Sequence, residues 1–165
     1  MFERFVRESR HAVTCAQDEA RALGAERVEP EHLLLALAGG CGDPAARAID
    51  EAGLSREAIA AAIEQDLVAA LEVVGVPASV VASVPARPGA GRPRLSLAAR
   101  DTLERALRAA VRRGDRRIGT EHVLLGVLRP PVGTVARVLA RLGVEPERLA
   151  ALVQLEVAAA DRRCA

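Results

Sequence analysis

An internal duplication constrains this chain more than any other feature: at an offset of 90 residues the sequence aligns with itself without a gap, roughly residues 5–70 onto 95–160. Gly24 meets Gly114, Val28 meets Ile118, Glu31-His32 meets Glu121-His122, and Leu34-Leu35 meets Leu124-Leu125. Further along, Ala46-Arg47 meets Ala136-Arg137, Gly53 meets Gly143, and Ile59 and Ile63 meet Leu149 and Val153. A tandem repeat explains these matches economically, and it predicts two similar units related by a pseudo-twofold axis.

Each copy reads as four helices, so the predicted fold is all-α: two tandem four-helix repeats forming one eight-helix domain. In the first copy Phe2, Phe5, Val6, Val13, Ala16, Ala20 and Leu23 form a stripe of helical spacing that runs up to Gly24, where a C-terminal cap belongs. Its counterpart spans about Ser96 to Arg113 and stops at Gly114. Pro30 suits the first position of a second helix, and Thr120 is the expected N-cap of the matching one. Both second helices are short and almost wholly apolar, which predicts burial. Asp43-Pro44 and Thr134 open the third helices, and Ser55 and Glu145-Pro146 open the fourth. The expected organisation is therefore repeat 1 over residues 1–70, a Pro/Gly-rich linker over 71–94, and repeat 2 over 95–160. Part of that linker, Pro77 to Val84, is apolar enough for one more short helix.

Composition agrees and narrows the chemistry. Aromatic residues are 1% of the chain, with no Trp and no Tyr, which supplies a sheet core poorly, whereas Ala, Leu, Arg and Glu favour helices. All 23 basic residues are arginine, so no Schiff base and no lysine-bearing phosphate loop can form; no G-x-x-x-x-G-K-[ST] occurs, and no nucleophile elbow either. The chain is expected to be no enzyme and to need no cofactor. His32 and His122 sit at paired positions and His11 lies four residues before Cys15, but no third ligand is placed beside either, and no metal site is expected. Three widely spaced cysteines, Cys15, Cys41 and Cys164, fit unpaired thiols. The opening residues make no signal peptide and no run reaches ~18 apolar residues, so a cytoplasmic protein with no membrane partner is expected. Residues 1–75 hold seven arginines against fourteen acids, and 76–165 hold sixteen against eight. Such opposed halves can bind one another or present a bipolar surface to partners.

The runs Val28-Glu29-Pro30-Glu31-His32-Leu33-Leu34-Leu35 and Ile118-Gly119-Thr120-Glu121-His122-Val123-Leu124-Leu125 resemble the repeat of the Clp chaperone ATPase N-terminal domain, particularly of ClpC type. Met1-Phe2-Glu3-Arg4-Phe5, Ala16-Gln17-Asp18-Glu19-Ala20 and Val135-Ala136-Arg137-Val138-Leu139 are similar to it as well. No lysine-bearing phosphate loop accompanies the repeat pair, and a stand-alone domain without an ATPase module is expected. The resemblance implies a non-catalytic, stand-alone protein- or peptide-binding domain: an accessory recognition, adaptor or sequestering factor in Clp-type proteolysis. Its implied partners are client proteins, including arginine-phosphorylated ones, and a Clp ATPase.

The resemblance also implies sites. Recognition of phosphorylated arginine falls on Glu31 and Glu121, with Thr120 beside the latter: a carboxylate takes a guanidinium through paired hydrogen bonds, and helix N-terminal amides favour a phosphate. Glu29-Pro30 removes an amide donor and adds negative charge, so the first site is expected to be degenerate. The groove between the first and fifth helices implies a surface for peptides and cyclic peptide antibiotics, with Phe2, Val13, Arg100 and Glu104 as candidates. Independently of any family, Arg105, Arg108, Arg112, Arg113, Arg116 and Arg117 make a stripe over 105–117 that points to the alternative of a nucleic-acid-associated regulator. No aromatic platform accompanies it, and a solvated or lobe-facing stripe is the expected role.

Overall fold

The structure is a computed structural model; it describes residues 2–40, 43–77, 79 and 91–164, without the side chains of residues 2, 163 and 164. The described residues form α1 (Arg7–Ala22), α2 (Pro30–Ala38), α3 (Pro44–Glu51) and α4 (Arg56–Val73) from the first repeat. The second contributes α5 (Leu97–Arg113), α6 (Thr120–Leu128), α7 (Thr134–Arg141) and α8 (Pro146–Cys164). Among the described residues the fold is all-α apart from two short strands, β1 (Arg27–Val28) and β2 (Arg94–Leu95). Half of the linker, including six of the eight residues of the short helix expected over 77–84, lies outside the described residues, as do Cys41 and the thiol of Cys164.

Helix ends follow local chemistry. Ser55 and Ser96 accept the amides of Ala58 and Ala99 at 3.1 and 3.0 Å, and Asp43 accepts those of Ala45 and Ala46 at 3.0 and 3.1 Å. Pro30, Pro44 and Pro146 each occupy a first helical position, where a missing N–H costs nothing. Gly114 ends α5 at φ 79°, a conformation that favours glycine.

The repeats are interlocked. Phe5 bridges in parallel to Ile118, while Leu95, its partner under the repeat, pairs with Val28. Thus Ile118 N donates to Arg4 O at 2.8 Å and its O accepts from Val6 N at 3.0 Å, and Val28 O accepts from Ser96 N at 3.0 Å. The helices cross over in the same way, α3 packing on α8 and α4 on α7, with α2 and α6 touching at the centre. Leu33, Leu34, Leu35 and Leu37 of α2 and Val123, Leu124 and Val127 of α6 are at most 1% exposed, each burial worth ~1.5–3 kcal/mol. Two ion pairs related by the repeat clamp the crossings: Arg137 on α7 grips Asp66 on α4 at 2.8 Å, and Arg47 on α3 reaches Glu156 on α8.

Two expectations are corrected. The apolar stripe placed Phe2 and Phe5 on the first helix, but Phe2–Arg4 is a 3-10 turn and Phe5 is extended, because its segment is held by Ile118 and α1 starts only at Arg7. Thr120 is not the N-cap of α6 but its first residue; Gly119 is the cap, and the Thr120 hydroxyl donates across the repeat interface to Asp43 Oδ1 at 2.7 Å.

Candidate functional site

Glu121 enters the structure on the first turn of α6, with its side chain 17% exposed. Its carboxylate folds back over its own helix end. A Cβ at Gly119 would lie 2.2 Å from Glu121 Oε2, so this arrangement requires glycine there. The repeat-related residue is Glu29, which has a side chain, and its carboxylate accepts the Ser96 hydroxyl at 2.7 Å.

Behind each glutamate stands a buried histidine. His32 Nδ1 accepts the Glu29 amide at 2.9 Å and His122 Nδ1 accepts the Gly119 amide at 3.1 Å. The paired histidines therefore tie off the first orphan donor of α2 and α6. His122 does more: its Nε2 lies 2.9 Å from Asp115 Oδ2, and its Nδ1 is also 3.0 Å from Glu121 Oε1. With Nδ1 bare the ring serves the amide; doubly protonated, it donates to both carboxylates. Arg113 completes the chain by donating to Asp115 Oδ2 at 2.9 Å.

The two glutamates differ electrostatically. Burial lifts Glu31 above the usual carboxylate range, and neighbouring Glu29 and Asp66 add to the lift. Burial acts on Glu121 in the same sense, but hydrogen bonds from His122 and from its own backbone amide, with the charges of His122 and Arg113, bring it below that range. Glu121, His122, Arg113, Asp115, Arg116 and Arg117, with Val157 and Asp161 of α8, line an open recess of about 350 Å³. A charged carboxylate in a rim of arginines can hold a guanidinium and a phosphate side by side. The Gly119 amide at this helix end is not free for a phosphate, since it is taken by His122.

The remaining candidates are dispersed. Thr120 is buried and committed to Asp43, and Val13 is a core residue at 8% exposure. Arg100 and Glu104 lie exposed on α5, Glu104 pairing with Arg108 at 3.2 Å. The side chain of Phe2 lies outside the described residues. Cys15 is a free thiol 3.4 Å from His11 Nε2; burial raises its pKa, with Asp18 and Glu19 adding to the effect. The histidine caps and the Asp115–His122 contact have no sequence signature beyond the paired histidines. The clamping arginines were visible as the matched pair Arg47 and Arg137, without their partners.

Comparison with known proteins agrees with this architecture. The family model of the Clp repeat (R) N-terminal domain matches residues 4–87 and 94–163. The chloroplastic chaperone protein ClpC1 of Arabidopsis thaliana is 34% identical over 149 residues, which is 90% of this chain and 14% of that protein. The negative regulator of genetic competence ClpC/MecB of Bacillus subtilis is 31% identical over 144 residues, 87% of this chain and 16% of its own length. The chain thus spans only a small part of these relatives. Among solved structures, the N-terminal domain of ClpD from Arabidopsis thaliana superposes with a TM-score of 0.64 at 24% identity, covering 95% of this chain and 99% of that one. The Hsp104 N-terminal domain from Candida albicans gives 0.59 at 15% identity, covering 92% and 89%; both likenesses speak to the fold.

Proposed function

The chain belongs to the Clp repeat (R) N-terminal domain family, and from that premise we propose that it is a non-catalytic recognition domain for protein segments. Its ligands are clients or adaptors of Clp-type ATPases in the cytoplasm, which it delivers or sequesters. The two repeats, 1–70 and 95–160, act as one binding body across the 71–94 linker. A second surface on α5, with Arg100 and Glu104, serves peptides and cyclic peptide antibiotics.

The main contact is Glu121. What supports this reading is that a mostly buried carboxylate is kept charged at the mouth of an arginine-rimmed recess. A phosphorylated arginine side chain would place its guanidinium on Glu121 and its phosphate toward Arg116 and Arg117, both exposed. The first repeat has Glu26 and Arg27 where the second has Arg116 and Arg117, and its Glu31 is pushed toward protonation. Titrating phosphoarginine by calorimetry tests the proposal. Glu121→Ala is expected to weaken binding by ~1.5–3 kcal/mol, the scale of a charged hydrogen bond, and Glu31→Ala by less. Absence of binding to the wild-type chain would leave Glu121 as a helix-end charge.

A further inference from the structure

A larger cleft, of about 860 Å³, opens between α5, α6 and α8 of the second repeat, a volume within the ~300–1,000 Å³ of built ligand sites. Arg105, Arg108, Arg112, Arg113 and Arg129 surround it, and Glu147 is its only acid. Among the described residues Arg112 and Arg129 have no hydrogen-bond or ion-pair partner. Leu125, Leu128, Ala109 and Ala150 supply apolar lining.

The repeat itself explains why the cleft is open. In the first repeat the equivalent space is bridged by Arg56, at the start of α4, reaching Glu19 on α1 through Nη2 at 2.7 and 2.8 Å. At the matching positions of the second repeat stand Pro146 and Ala109, so both members of that filling pair are gone. The arginines are likewise gained in the second copy alone, Arg105, Arg108, Arg112 and Arg129 standing where the first has Cys15, Asp18, Ala22 and Gly39. One copy of the fold thus grips its own carboxylate there, and in the other Arg108 and Arg113 pair with Glu104 and Asp115 while Arg112 and Arg129 face the cleft with no carboxylate partner among the described residues.

We infer that this cleft binds an acidic peptide segment, its carboxylates on Arg112 and Arg129 and an apolar side chain against Leu125 and Leu128. This rests on the reading that the domain recognises protein segments, but it uses a cleft that shares only Arg113 with the Glu121 recess and a ligand that carries no guanidinium. A nucleic-acid strand fits the cleft less well, because no aromatic residue lines it for bases to stack on and the apolar lining would face a phosphate backbone.

The test is fluorescence anisotropy on the full chain, using a labelled ten-residue peptide of alternating glutamate and leucine and its glutamine/leucine counterpart. The acidic peptide is expected to bind, and the glutamine version to bind about tenfold more weakly or worse. Arg112→Glu and Arg129→Glu, both at exposed positions, should each weaken binding by about tenfold or more with unchanged far-UV circular dichroism. The double variant Ala109→Glu with Pro146→Arg, which restores the filling pair of the first repeat, should close the site. Glu121→Ala should leave the acidic peptide bound, and Arg112→Glu should leave phosphoarginine binding intact, so either site can fail without the other. Equal binding by wild type and both arginine variants overturns the inference. So does a single-stranded oligonucleotide of equal charge that binds more tightly and is lost in the same variants. A dimer that those variants dissociate in sedimentation would overturn it as well, in favour of a second copy as the occupant.

Discussion

At the scale of single residues, one Glu-His pair is used twice with opposite electrostatic results. Glu31 has its folded-state pKa raised by burial beside Glu29 and Asp66, so its ionisation opposes folding: stability is full below the ordinary carboxylate range and declines as pH rises through the folded value. Glu121 is lowered by His122 and Arg113 in spite of its burial, so it stabilises above that range and loses the contribution as pH falls. Urea unfolding at about pH 7 should therefore show Glu31→Gln more stable than wild type and Glu121→Gln less stable, each by about 1 kcal/mol or less. Near pH 3 both differences should shrink toward zero. Shifts of the same sign in both variants at neutral pH would contradict this account. That the two helix ends differ was legible in Glu29-Pro30, but for an incomplete reason. Steric space decides as much as charge, since only Gly119 leaves room for a carboxylate folded over the helix end. The histidine caps were illegible because a ring's partner depends on its rotamer and on backbone groups outside the pattern.

At the scale of elements, most helices were readable because their signals are local. Asp43-Pro44, Ser55, Ser96, Pro146 and Gly114 stand at or beside the ends they mark. The start of α1 was not, since Phe5 fits a helical stripe and is drawn into an extended bridge by Ile118, more than a hundred residues away. Periodicity records which face is apolar, and here that apolar residue is buried, at 3% exposure, in a different backbone state. The pairing of α5 with α6 depends on another non-local feature. A Cβ on Gly126 would lie 2.5 Å from Thr102 O and 3.0 Å from Ala106 N, both backbone atoms that a rotamer change cannot move. Gly126→Ala is expected to destabilise by ~1–3 kcal/mol despite the better helix propensity of alanine. The first repeat carries Ala36 at this position, and Ala36→Gly should cost about 0.5–1 kcal/mol as an ordinary helix-interior glycine. A rise in melting temperature for Gly126→Ala would mean the α5–α6 approach is looser than described.

At the scale of the molecule, duplication has produced one interlocked body. Each repeat completes the other: Phe5 pairs with Ile118, Leu95 with Val28, α3 lies on α8 and α4 on α7. The uneven charge of the halves enters at one crossing, where Asp66, 4% exposed and with its pKa lowered by the Arg137 hydrogen bonds, takes Arg137 with Arg141 at 3.7 Å. The repeat-related crossing, Arg47 with Glu156, runs in the opposite sense, so symmetry of position matters more there than net charge. A fragment ending after α4 would expose the faces that cover α7 and leave Asp66 without its guanidinium, and one starting at β2 would expose Ile118 and the inner face of α8. Fragments 1–77 and 91–165 are therefore expected to show little cooperative helical structure alone and to recover the helicity of the intact chain when mixed one to one, followed by circular dichroism. Arg137→Ala in the second fragment should weaken that reassociation by ~1–2 kcal/mol, since Asp66 loses its main partner while the half-exposed position of Arg137 and the nearby Arg141 moderate the loss. If either fragment alone gives a cooperative thermal transition with native-like helicity, the repeats are independent folding units and the crossed packing only joins them.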